Sequence, residues 1–254
     1  TPFTRLTRHL GLDAAALSDD ERQRLLAALS TATDSLERIT GRWLLPRLLT
    51  VTLTPLARDP QAVALPHDLL EVLSVTDDGQ SVPLDALEHM TDGLLRRTDG
   101  DAFRADAVTV RALWAYHPEA ARAWRDSGTV TTSTLGTLSP GAVTVNGVTG
   151  TDTLGQSPRF DVGQLIRLHD ELMVLVDINT PLHTLNFMRA VNGSAAAHHD
   201  IGTSIGLYTP PPALESMALR WAAWLYRQPD RPEQTHAPVD LTDEVRLWAR
   251  LRVS

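Results

Sequence analysis

The chain has 254 residues, a formal net charge of −8 and no cysteine. This length is enough to bury a sizeable core in one or two domains, and the lack of cysteine excludes disulfides and thiolate metal ligands. The acidic balance argues against a general nucleic-acid binder, which would carry a basic face. No apolar run approaches the roughly 20 residues of a transmembrane helix, so we expect no membrane partner.

The first third of the chain predicts one capped helix followed by strands. Ser18 with Glu21 three residues later is the pattern of a capping box, and Gly41 is a typical helix stop. Apolar residues between them recur at steps of three and four, which indicates one buried face. The opposite face carries charges of both signs, on Arg22, Asp34, Glu37 and Arg38. Alternating patterns then predict strands at residues 49–53, 69–75, 81–84 and 107–116, with a short helix as one reading of 84–95.

Residues 128–209 are predicted to form an all-β insertion. The segment 128–158 is rich in Thr, Ser and Gly, and β-forming runs separated by turn residues follow at 165–177, 182–191 and 201–208. We expect a small barrel or sandwich at 128–209. The segments 1–127 and 210–254 are then expected to form a helical core with a small antiparallel sheet. The predicted fold class is therefore α+β with an inserted all-β domain.

The last part of the chain predicts two helices joined by a proline-rich connector. Pro212 suits the first turn of a helix whose buried stripe includes Trp221. The final helix, 240–253, is too short to fold stably alone, so its apolar face must dock. It packs either on its own chain or on a partner, because aromatic and Arg residues anchor interfaces. The candidate docking residues are Leu241, Val245, Arg246, Trp248, Arg250 and Arg252.

Residues His198, His199 and Asp200 form the most metal-like cluster of the sequence. Neighbouring residues on a strand point to opposite faces, and a catalytic zinc needs three well-placed ligands. The adjacent carboxylates Asp170 and Glu171 diverge in the same way. We therefore assign no catalytic, cofactor-binding or metal-binding residue and expect no enzyme. A metal-dependent hydrolase using His198, His199 and Asp170 or Asp200 stays as a minor alternative.

Three stretches of the chain outside the insertion resemble one protein family. The capped helix that ends in Thr40-Gly41-Arg42-Trp43, the run 65–72 and the proline-led helix 212–227 resemble the head–tail connector (adaptor) proteins of long-tailed bacteriophages. The order of these matches along the chain, helix, sheet, β module and helix, is the strongest part of the resemblance.

The insertion is similar to a small β module found in several phage virion proteins. The family pattern has a G-x-x-I strand, an E-x-M-x-V strand and an R-G-x-x-G-T turn followed by small residues and His. The positions that match are Gly163, Ile166, Glu171, Met173, Val174, Arg189, Gly193 and either His198 or His199. Ala190 and Ser194 depart from it.

The resemblance implies a structural virion protein of the neck, made in the host cytoplasm. Such adaptors assemble as a ring, typically of twelve copies, beneath the portal. They bind the portal protein on one side and further neck or tail proteins on the other, and DNA passes through the lumen. The charged helix face would then contact a neighbouring copy and the last helix would dock on the portal. A host- or surface-binding β module on a neck or tail protein is the alternative.

Overall fold

The computed structural model describes residues 3–90, 93–104 and 107–228. In that part of the chain there are three α-helices and three antiparallel sheets, of four, four and six strands. The prediction of a helical core with a small sheet is wrong, because most of the regular structure of the described residues is in these three sheets and only three helices accompany them. The chain divides into two compact units, which are taken in turn.

The first unit comprises the described parts of Thr1–Gly41, Ala121–Val191 and Ala195–Ser254. It contains helices α1 (Phe3–Leu10), α2 (Asp19–Thr40) and α3 (Pro212–Tyr226), which pack against one another. The predicted capping box of α2 is confirmed: Ser18 Oγ accepts from the Glu21 N–H, and Glu21 accepts from the Ser18 N–H. Trp221 is buried in α3, as expected. None of the described helices is long and apolar enough to cross a membrane.

The same unit contains a barrel. Its strands are β9 (Trp124–Val130), β10 (Ala142–Thr144), β11 (Leu165–Leu168), β12 (Glu171–Asn179), β13 (Thr184–Met188) and β14 (Ser204–Tyr208). The strand order is β10-β13-β12-β11-β14-β9. The two end strands also meet, since Thr131 bridges Val145 and the Thr132 N–H donates to the Thr144 carbonyl at 2.8 Å. The sheet is thereby closed around an apolar core that includes Ile166, Met173 and Phe187.

The second unit comprises the described parts of Arg42–Ala120 together with Asn192–Ser194. Its strands are β1 (Arg47–Leu53), β2 (Pro55–Leu56), β3 (Asp59–Ala64), β4 (Leu69–Asp77), β5 (Gln80–Val82), β6 (Leu87–His89), β7 (Leu94–Arg97) and β8 (Val108–Trp114). They form two sheets, of order β1-β8-β4-β5 and β2-β3-β7-β6. Val63 and Leu95 from one sheet pack with Val75, Val110 and Trp114 from the other in one core.

The second sheet of this unit explains the error in fold class. Residues 84–95, for which a short helix was one reading, form a single 3₁₀ turn at Leu84–Ala86 and then β6 and β7. These strands are short, and β3 contains a proline, so their sequences lack a clear alternating pattern. Their conformation is set by long-range pairing, such as Val63 with Leu95, rather than by local preference. The segment 42–120 is therefore a two-sheet unit and not an extension of a helical core.

Candidate functional site

The most distinctive polar site in the described residues surrounds Glu171, in the first unit. Strands β11 and β12 are joined by the two-residue turn His169–Asp170, and His169 adopts a φ of 50°. Leu168 pairs with Glu171 across this turn, so Glu171 is the first residue of β12. Its side chain has no exposed surface. A carboxylate in such a place must be paired and hydrogen-bonded to be tolerated.

Arg189, which follows β13, provides most of that pairing. Its Nε donates to Glu171 Oε1 at 2.8 Å and its Nη2 to Oε2 at 2.6 Å, which is the bidentate geometry of a strong ion pair. The same guanidinium donates to the carbonyl groups of Gly136 and Ala197. The Ala197 N–H in turn donates to Glu171 Oε2 at 2.8 Å. The pair therefore connects the turn before β12 with two loops of the barrel.

His199 completes the site from the loop before β14. It is 1% exposed, and its backbone exchanges two hydrogen bonds with Leu135, each of 2.9 Å. Its Nε2 lies 2.8 Å from Glu171 Oε2 and its Nδ1 lies 3.2 Å from Nδ1 of the exposed His169. Because the carboxylate can only accept, Nε2 of His199 carries the proton and Nδ1 is left as an acceptor. His169 then donates from its own Nδ1.

The electrostatics of the site follow from burial and from these bonds. Burial by itself raises the pKa of a carboxyl group, but the hydrogen bonds from Arg189, Ala197 and His199 and the charge of Arg189 hold the pKa of Glu171 below its ordinary value. Burial lowers the pKa of His199, and His169 and Arg189 act in the same direction against the attraction of Glu171. At neutral pH the site thus contains an ionised Glu171, a cationic Arg189 and a neutral His199.

The structure separates the residues of the metal-like cluster. His198 is exposed, and its Nε2 lies 3.0 Å from Asp200 Oδ1, whereas His199 is buried against Glu171. Asp170 is exposed in the turn. Within residues 3–90, 93–104 and 107–228 there is no group of three or more His, Asp or Glu side chains that could hold a metal ion. Glu171, Arg189 and His199 are brought together instead, a set that the sequence analysis named together only as positions matching a β-module pattern.

Of the predicted contact residues, those on α2 are described by the structure and those near the end of the chain are not. On α2, Asp34 and Arg38 are exposed one turn apart and Glu37 is half-buried. Arg22 folds back, and its guanidinium donates to the carbonyl groups of Ala14 and Leu17. The proposed docking residues of the last helix lie outside the described residues; they are Leu241, Val245, Arg246, Trp248, Arg250 and Arg252.

No protein-family model, no curated protein and no solved structure matches this chain. The class of protein is therefore defined by the fold and the site alone: a β-rich protein of two compact units, one of them a closed six-stranded barrel with helices. The Glu171 site holds segments of that barrel together through hydrogen bonds. His169 is the member of the site for which the sequence offered no signal, because its place beside His199 depends on the register of β11 and β14.

Proposed function

We propose that the protein is a structural protein of a phage virion, a head–tail adaptor that forms a ring beneath the portal and lets DNA pass. The observation that carries the proposal is the structural role of the positions on which the resemblance rests. Glu171, Arg189 and His199 meet in one buried site, and Ile166 and Met173 fill the barrel core. A pattern of common residues gains weight when its members act together in one structure.

The glycine positions of the pattern support the same inference. Gly163 has a φ of +81°, and a Cβ there would come within 3.3 Å of the Leu26 side chain on α2. Gly193 has a φ of +83°, and a Cβ there would lie 2.5 Å from the Leu48 carbonyl oxygen. Both positions combine left-handed backbone with a close neighbour, which only glycine accommodates without strain. The resemblance therefore rests on residues that determine the fold.

In the proposed ring, each copy contacts its neighbours through head-to-tail surfaces that close. Asp34 and Arg38 expose charges of opposite sign on α2 and are the proposed contact to the next copy. The segment 240–253, which the sequence predicts to be a helix, is the proposed contact to the portal, and further neck or tail proteins bind the opposite side. A net charge of −8 is compatible with a lumen through which DNA slides without adhering, since like charges repel.

The first experiment is co-sedimentation of the full chain with the portal protein of the same virion, followed by imaging of the complex. We expect rings on the portal, typically of twelve copies. A chain that ends at residue 239 should not bind the portal although it still unfolds cooperatively on heating. Light scattering of the free chain, with and without portal, reports whether the ring forms only on the portal. Full binding by the shortened chain would remove the docking role of the last helix.

The ring contact has a separate test with a matched control. Arg38→Glu reverses an exposed charge on α2 and should reduce ring formation while leaving the fold intact. Arg58→Glu reverses an exposed charge in the turn between β2 and β3 and should have no effect. Equal behaviour of the two variants would exclude this helix face from the ring contact.

The alternative of a host- or surface-binding β module has less support. Such a module would present aromatic side chains to its ligand, but the three aromatic residues of the insertion, Phe160, Phe187 and Tyr208, are all buried. Binding of the chain to a glycan array, without binding to portal, would favour this alternative over the adaptor.

A further inference from the structure

The two histidines of the Glu171 site form an unusual contact. Their Nδ1 atoms are 3.2 Å apart while the ring centroids are 5.4 Å apart, so the nitrogen atoms face each other edge to edge. His169 is exposed in the β11–β12 turn, and His199 is buried in the loop before β14. This contact joins two segments that are 30 residues apart in sequence and exposes one end of the pair to solvent.

Proton counting shows what the contact allows. A hydrogen bond between two Nδ1 atoms needs one proton between them, so one ring donates and the other accepts. The Nε2 proton of His199 is committed to Glu171. A first additional proton can enter through the exposed Nε2 of His169, and the Nδ1–Nδ1 bond survives. A second additional proton has only Nδ1 of His199 left, and both facing atoms would then carry hydrogen.

We propose that the His169–His199 pair is an acid-sensitive latch, which holds the β11–β12 turn against the 195–199 loop while a single proton is shared and releases it when both Nδ1 atoms are protonated. The proposal rests on the geometry of the pair within the barrel unit. It is independent of the proposed role in the virion.

The charges around the pair set the direction of the effect. His199 faces Glu171 from β12, Arg189 from the segment after β13, and His169 from the β11–β12 turn. Glu171 favours a charged His199 and so opposes the effect of burial, but its carboxylate is also paired with Arg189, and burial determines the direction. Asp170, His198 and Asp200 are exposed to solvent, which screens them.

The pH dependence follows from the sign of the perturbation. Burial lowers the pKa of His199 in the folded protein, with His169 and Arg189 contributing. A histidine whose pKa is lowered on folding contributes stability that is complete above its unfolded value of about 6.5 and is lost as the pH falls below it. The latch is thus closed at neutral pH and opens on acidification.

The test is a pH titration of the full chain by NMR, from about pH 8 to about pH 5, the range in which histidines titrate. As the pH falls below the ordinary histidine range, the ring signals of His199 should shift. Over the same range, exchange of the His199 amide, which donates to Leu135, should accelerate about tenfold per pH unit beyond its intrinsic rate, because one proton is taken up per opening.

The variant His169→Asn removes the titrating partner and keeps a residue that tolerates positive φ. In this variant the latch is absent, so exchange of the His199 amide should already be faster at neutral pH and should depend less on acidification. His198→Asn is the matched control, because His198 is adjacent in sequence but is paired with Asp200. It should leave the pH profile of His199 amide exchange unchanged. The same pH profile of His199 amide exchange in the unaltered chain and in His169→Asn, or exchange at His199 that does not respond to pH, would overturn the latch.

Discussion

The replacement Glu171→Gln tests whether the buried site stabilises the barrel. The glutamine has nearly the same shape but no charge, and one of its two terminal atoms donates instead of accepting. Glu171 accepts four hydrogen bonds, one at Oε1 from Arg189 and three at Oε2 from Arg189, Ala197 and His199. In its better orientation the glutamine keeps the Oε2 set and presents an NH₂ group to Nε of Arg189.

The magnitude follows from the charge that is left behind. The Arg189 side chain is only 9% exposed, so the replacement leaves a largely buried cation without its counter-charge. Removing one partner of a buried ion pair costs about 3–5 kcal/mol, and each hydrogen bond to a charged group contributes about 1.5–3 kcal/mol. We therefore expect the barrel to lose about 3–5 kcal/mol of unfolding free energy. That is a large part of the about 5–15 kcal/mol that stabilises a typical domain.

The assay must report on the barrel, because two compact units need not unfold together. Native-state amide exchange provides this at Leu175, whose N–H donates to the Gln164 carbonyl inside the barrel unit. Asp200→Asn is the control, since it removes the charge of the exposed His198–Asp200 pair and should cost less than about 1 kcal/mol. A loss for Glu171→Gln no greater than that of the control would refute the stabilising role of the site.

Three further replacements test the local arguments. Gly193→Ala should cost about 1–3 kcal/mol in urea denaturation, because it adds a Cβ 2.5 Å from the Leu48 carbonyl oxygen at a φ of +83°. Ser18→Ala should cost about 1 kcal/mol, measured in the same way, because the Glu21 N–H loses its cap. Burial raises the pKa of Asp161, so the protonated carboxyl group contributes stability that is complete below about pH 4 and is lost as the pH rises through the pKa of Asp161 in the folded protein. The unfolding free energy of the unaltered chain should therefore fall between about pH 4 and about pH 7, and Asp161→Asn should lack this part of the decrease.

Each of these has an outcome that contradicts it. For Gly193, an alanine variant as stable as the unaltered chain would show that the close approach to Leu48 causes no strain. For the cap, the comparison is Ser30→Ala, an exposed serine in the middle of α2; equal cost would show that Ser18 does not act as a cap. For Asp161, parallel pH profiles with and without the carboxyl group would show that its burial has no effect on stability.

Local sequence signals located those helices and strands whose conformation depends on residues close together in the sequence. Ser18, Glu21 and Gly41 define α2 because capping acts within one turn of helix. Strands β4 and β8 were expected from alternating patterns on either side of turn residues. The strands of the second sheet, β2, β3, β6 and β7, were missed, because that sheet is assembled by the pairing of β3 with β7, which are distant in the chain. The fold class was wrong for that reason.

The Glu171 site could be predicted only in part. The pattern match contained Glu171, Arg189 and a histidine, but it could not decide between His198 and His199, since neighbouring residues differ only in the direction of their side chains. The decision depends on strand register, which places His199 against Leu135 and turns His198 toward solvent. Local sequence does not encode that register, because a shift by one residue exchanges the two faces.

The polar site also has a consequence for the proposed function. A buried ion pair is seldom more stabilising than apolar residues of equal volume, so stability alone does not account for Glu171 and Arg189. What the pair provides is a single arrangement, because the donors of Arg189 are satisfied only when Glu171, Gly136 and Ala197 are all in place. Copies in a closed ring must present the same surface at every contact. A barrel whose loops have one permitted arrangement meets that requirement, so the proposed adaptor role would give Glu171 and Arg189 a use that stability alone does not.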